Sequence, residues 1–217
     1  MRQTLDFLLH DWLGVSSLLA RPRFADHSAE TFASVLDACE RIARDKFAPF
    51  NRLADSQEPH FDGERVHLPE ATHAALAAYV ESGMLAAAQD YDVGGMQLPC
   101  VIEMAANAFF SKASVAMGGY AMLTSGNAGL LMAHGTPLQR EVFAKNQFSG
   151  RWFGTMCLSE PQAGSSLSDV ATRAVPDETP GGAAEGVAPW ESDPLGPRYR
   201  LRGNKMWISA GEHDMAE

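Results

Sequence analysis

Little in this sequence points to a membrane, a metal or a disulfide frame. No stretch approaches the ~18 consecutive apolar residues that a spanning helix needs. The N-terminus sets Asp6 and Asp11 among its apolar residues and has no signal-peptide run. Cysteine is scarce. Cys39, Cys100 and Cys157 form an odd, unclustered set, which reads as reduced thiols in a cytoplasmic protein. The seven histidines are dispersed, with neither H-E-x-x-H nor C-x-x-C spacing, so no metal site is expected. There is no G-x-G-x-x-G turn for a dinucleotide and no G-x-S-x-G elbow for a hydrolase. Gly94-Gly95 and Gly118-Gly119 read as turn or packing glycines. Basic residues are also short, 17 against 27 acidic, for a net charge of −10. That balance argues against nonspecific nucleic-acid binding but leaves room for a local anion site.

What remains is an ordinary globular profile, 46% apolar and 20% charged, over 217 residues, enough for one large domain or two small ones. Leu5, Leu8, Leu9, Trp12 and Leu13 recur at helical spacing and predict an opening amphipathic helix. Ser28 is a good N-cap for a second helix with Phe32, Val35, Leu36, Cys39, Ile42, Ala43 and Phe47 as its buried stripe, stopped at Pro49. Asn51 to Val66 is polar and reads as a loop. Pro69 opens a third helix that Gly83 closes. After a turn-rich stretch around Gly94-Gly95, helices are predicted from about Pro99 to Lys112 and from Val115 to His134. A last one starts at the Thr136-x-x-Gln139 capping box with Pro137 at its first position.

Helical spacing stops at Ser149-Gly150, and the sequence beyond is richer in β-forming and small residues. The expected organisation is α+β: an all-α bundle of about six helices over residues 1–150, then an incomplete antiparallel β domain over 151–217. Residues 176–197 hold five prolines and four glycines, too many for a regular strand, and read as a mobile insertion in which Trp190 is either an anchor or exposed. Gly203-Asn204 predicts a two-residue hairpin turn pairing Arg202 with Lys205 and Tyr199 with Ile208. Alternation would then place Tyr199, Leu201, Met206 and Ile208 on one face, and Arg200, Arg202, Lys205, Trp207 and Ser209 on the other. The second face suits an aromatic anion, or is a solvated face with Arg200 stacked on Trp207.

The stretch Met156-Cys157-Leu158-Ser159-Glu160-Pro161-Gln162-Ala163-Gly164-Ser165 is the most distinctive. It reads as a short strand, Met156 to Ser159, entering a turn at Glu160-Pro161. Small residues then follow, where backbone N–H groups can meet a ligand or simply turn at the surface. It resembles the flavin-binding signature of acyl-CoA dehydrogenases. Trp207-Ile208-Ser209-Ala210-Gly211 is similar to the family's second flavin motif, in the expected order. Ser166 stands where that family usually has aspartate, and serine replaces the commoner threonine at Ser159 and Ser209. The opening helix and the His213-to-Glu217 ending are also similar to a bacterial subfamily that includes 3-methylmercaptopropionyl-CoA dehydrogenases.

The resemblance implies FAD as cofactor, held by Met156, Cys157, Leu158 and Ser159 along the ring. It places Ser165 near the cofactor phosphates or the thioester substrate, Trp207 and Ile208 against the ring, and Ser209 near the hydride-accepting nitrogen. It further implies an oxidoreductase of fatty acid metabolism that dehydrogenates an acyl-CoA substrate at its α and β carbons. Electron-transfer flavoprotein would be the acceptor, and the assembly a homo-oligomer. In that family the carboxylate base comes from a C-terminal helical domain that these residues do not include, so no catalytic base is assigned. Glu160, Glu212, Asp214 and Glu217 are the carboxylates near the motifs, and Glu160 reads as a structural acceptor in its turn. Two rival expectations are a truncated, non-catalytic chain that folds and associates, and a flavin oxidase or monooxygenase on the same fold.

Overall fold

A computed structural model describes residues 1–177, 195–211 and 213–215. Trp190, Glu212, Glu217 and most of the 176–197 insertion therefore lie outside the described residues. Helix α1 (Arg2–Asp6) winds on into a π-helical turn, Phe7–Trp12. The Leu13 N–H reaches back to the Leu8 carbonyl at 2.9 Å. This wider turn breaks the 3.6-residue phase, so Leu9 is buried whereas Trp12 and Leu13, expected on the same stripe, are exposed.

Helix α2 (Ala29–Ile42) begins at a reciprocal cap. The Thr31 N–H donates to Ser28 Oγ at 3.2 Å and the Ser28 N–H to Thr31 Oγ1 at 2.6 Å. Pro49 does not end it. The chain passes through a π turn (Ala43–Phe47) and a 3-10 turn (Ala48–Phe50) into α3 (Asn51–Ser56). Pro49 falls in the first positions of the 3-10 turn, where a missing N–H costs nothing. The expected loop from Asn51 is thus helical at its start. It then forms a small hairpin, β1 (His60–Phe61) against β2 (Val66–His67), turned by Asp62, which accepts from the Glu64 and Arg65 N–H groups at 2.8 Å each.

Helix α4 (Glu70–Glu81) ends before Gly83, whose φ of +76° is a left-handed stop. α5 (Cys100–Ala113) and α6 (Val115–His134) follow, the latter capped by Ser114. The Thr136–Gln139 box opens α7 (Pro137–Gln139), which continues through a π turn into α8 (Lys145–Phe148). The main core lies between α2, α4, α5 and the first half of α6. Phe32, Leu36, Phe47, Leu76, Ile102 and Met117 are among its largest buried side chains, and Phe110 meets Phe47 and Tyr79 edge-on at ring distances of 5.1 and 4.8 Å. A smaller cluster of Ala86, Ala128, Ala144 and Phe148 joins the end of α6 to α8. Among the described residues, no helix is long and apolar enough to cross a membrane.

Beyond α8 the chain is extended. β3 (Arg173–Pro176) pairs antiparallel with β4 (Tyr199–Arg202), in register from Arg173 opposite Arg202 to Pro176 opposite Tyr199. The fold is α+β. The predicted hairpin at Gly203-Asn204 is not formed, because the partner of β4 is β3 and not residues 205–208. Gly203 serves a close approach instead: a Cβ there would stand 2.0 Å from Thr172 Oγ1. The predicted strand Met156–Ser159 likewise belongs to no ladder among the described residues.

Candidate functional site

The turn after Ser159 is closed on itself, with the Glu160 N–H donating to the Ala163 carbonyl at 2.8 Å and the Ala163 N–H returning to Glu160 at 3.1 Å. Pro161, without an N–H, occupies the outer corner. The Glu160 side chain is 2% exposed and is a hub of acceptors. It receives Lys205 Nζ at 2.8 Å, the Ala171 N–H at 2.8 Å, the Thr172 N–H at 3.0 Å and Gln162 Nε2 at 2.7 Å. These donors, the Lys205 ammonium foremost, hold its carboxyl well below the usual carboxylate range. A carboxylate so committed is a structural acceptor and not a proton-abstracting base.

Lys205 also donates to the Leu158 carbonyl at 3.1 Å, the Met206 N–H donates to the Ser159 carbonyl at 3.0 Å, and the Thr155 hydroxyl donates to the Ser209 carbonyl at 2.5 Å. The two distinctive stretches, 51 residues apart at their starts in Met156 and Trp207, are therefore side by side. Met156, Cys157 and Leu158 are exposed, Ser159 is half-buried, and Ser165 is exposed past the turn. On the facing segment Ile208 is half-buried and Ser209 exposed. Trp207 is 83% exposed with φ at +61°, and Ala210 follows at +52°. Left-handed backbone at a bulky residue costs on the order of 1–3 kcal/mol and persists where its surroundings over-determine it, a pattern that clusters at ligand sites. Hydrogen bonds at Met206 and Ser209 flank Trp207 on either side.

Sequence reasoning placed Trp207 and Ser209 on one hairpin face with Arg200, Arg202 and Lys205. The structure separates them, since β4 leaves with β3 and Lys205 turns to Glu160. The contributions of Lys205, Thr155 and Thr172 were missed. The available signal was a lysine two residues before the tryptophan and an acidic residue in the other motif, charges that each need a partner when covered.

No protein-family model matches the chain. Over 209 residues it is 30% identical to 3-methylmercaptopropionyl-CoA dehydrogenase of Ruegeria pomeroyi, which covers 96% of this chain and 32% of that protein. Over 216 residues it is 29% identical to a butyryl-CoA dehydrogenase of Syntrophomonas wolfei, covering 98% and 33%. By sequence, the chain is similar to acyl-CoA dehydrogenases over nearly all of its own length. It spans about a third of the length of the curated relatives it matches. A solved structure of the acyl-CoA dehydrogenase of Bacillus anthracis complexed with FAD superimposes with a TM-score of 0.60 at 19% identity, covering 84% of this chain and 27% of that one. That likeness shows the acyl-CoA dehydrogenase fold, and it takes in most of this chain.

Proposed function

We propose that this chain carries part of the flavin site of an acyl-CoA dehydrogenase, with residues 1–150 as its helical domain and residues from 151 onward as part of its β domain. The observation that carries this reading is Trp207, an exposed indole in a strained backbone, fixed beside the exposed run Met156–Leu158. A flat aromatic face next to an extended backbone suits a planar ring with a polar edge. When bound, FAD would accept a hydride from the β carbon of an acyl-CoA. The chain's own part is to bind and orient: Trp207 and Ile208 pack against the ring, and Ser159 and the backbone around it meet the polar edge. Ser209 stands near the accepting nitrogen, and Ser165 serves the phosphates or the thioester. Donors placed at the polar edge would favour negative charge there. Electron-transfer flavoprotein as acceptor and a cytoplasmic setting belong to the same proposal. No residue of this chain is assigned as the base.

The test is a titration of the purified chain with FAD, followed by butyryl-CoA. Quenching of flavin fluorescence supports the site, and bleaching by the thioester would show that a base is present after all. Trp207→Ala should weaken FAD binding about tenfold or more with the helical circular dichroism unchanged. Equal affinity in that variant would remove Trp207 from the site. A chain that binds no flavin would favour the rival reading of a folded, associating, non-catalytic product, for which the exposed apolar residues of α6 speak.

A further inference from the structure

In the absence of the predicted hairpin, the Trp207 segment joins no ladder among the described residues that could set its position. Something else must fix where it lies against residues 156–159. The contacts define the answer: Thr155 meets Ser209, Ser159 meets Met206, and Lys205 spans Leu158 and Glu160. As one segment advances from Thr155 to Ser159 the other falls back from Ser209 to Met206. The two therefore run antiparallel, with one extra residue on the first, and Trp207 and Ile208 stand across from Met156 to Leu158.

We infer that Lys205 and Glu160 are positioning residues of this site: their covered ion pair sets the register between the two segments and so places Trp207. The inference rests on the flavin reading for its ligand but not for its geometry. Glu160 is tied on its other side to the Ala171 and Thr172 N–H groups at the entry to β3, and Gly203 lies against Thr172. Lys205 thus locks onto a point already fixed by the start of the sheet. Its second bond, to the Leu158 carbonyl, prevents a slip of the 205–209 segment. A slip of one residue would move Trp207 away from its place across from Met156 to Leu158.

Lys205→Met, Lys205→Arg and the unaltered chain would be compared in two measurements: FAD affinity by fluorescence quenching, and hydrogen exchange of the Met206 amide in the flavin-free protein. Lys205→Met should weaken FAD about ten- to hundredfold, the loss of one charge-assisted bond, and speed Met206 exchange while amides around Phe47 and Phe110 stay protected. Lys205→Arg should return affinity to within about threefold. The inference is overturned if Lys205→Met binds FAD normally, if it weakens FAD without changing Met206 exchange, or if Lys205→Arg is no better. Should the unaltered chain bind no FAD, the flavin reading fails and exchange alone decides. Faster Met206 exchange in Lys205→Met, restored in Lys205→Arg, upholds the register role, and unchanged exchange overturns it. If Lys205→Met does not fold, Lys205→Gln, which keeps a donor for Leu158 without the charge, is read by the same criteria.

Discussion

His67 sits between two carboxylates. Its Nε2 donates to Asp62 Oδ2 at 2.6 Å, its Nδ1 faces Asp214 Oδ2 at 3.7 Å, and Asp214 in turn reaches His73 Nε2 at 2.9 Å. The hydrogen bond to Asp62 is the main cause that raises the His67 pKa above its ordinary 6.5, against desolvation and the nearby Arg65. Asp62 stays ionised because the Arg65 N–H, His67 and the Glu64 N–H all donate to it. The sign follows. A raised folded pKa means that the stabilisation is fully present below the unfolded value, near 6.5, and is lost as pH rises through the folded midpoint. Both the β1–β2 hairpin and its hold on Asp214 should therefore loosen as pH rises through the His67 midpoint. A proton NMR titration should show the His67 midpoint above 6.5, moving back toward it in Asp62→Asn. An unchanged midpoint in that variant would dissociate the shift from Asp62.

At the scale of elements, the helix starts are local decisions. The Thr136 hydroxyl accepts from the Gln139 N–H at 3.2 Å, and the Thr136 N–H donates to the Gln139 side chain at 2.9 Å. Thr136→Ala should lower stability by about 1 kcal/mol, read as a shift of the urea midpoint with an unchanged slope. No shift would mean that the α7–α8 segment is held by Phe148 and Ala144 alone. Because such caps depend on residues three apart, Ser28, Thr136 and the Gly83 stop could be read directly from the sequence, as could α4, α5 and α6. The π turns could not: Phe7–Trp12, Ala43–Phe47 and Arg140–Ala144 have ordinary helical composition, and nothing in it marks the wider pitch. The site divides the same way. Both motifs were legible, but the hairpin predicted from Gly203-Asn204 failed because that glycine answers to Thr172, 31 residues earlier. The link that joins the motifs, Lys205 to Glu160, crosses 45 residues and leaves no local pattern.

For the whole molecule, α6 is apolar nearly all round, and only part of it is covered. Val115, Met122 and Leu130 are 74%, 68% and 58% exposed, and they fall along one side of the helix. Met104 of α5 is also exposed, and each residue of the β3–β4 pair is open to solvent. A surface of this kind favours burial against another copy. The chain by itself should elute as a dimer or larger in size-exclusion chromatography with light scattering, and Met122→Lys with Leu130→Lys should shift it to monomer. A monomeric unaltered chain would show that this face is tolerated in water. A different consequence follows from the β3–β4 ladder. The Asp177 N–H donates to the Arg198 carbonyl at 3.0 Å, so the two ends of the stretch between them are already fastened together. Closing a longer loop across such a fastening costs only ~0.6 kcal/mol per doubling of length. An insertion made between Asp177 and Arg198 should therefore leave the β3–β4 register as it is, with protection of the Asp177 amide from hydrogen exchange as the check.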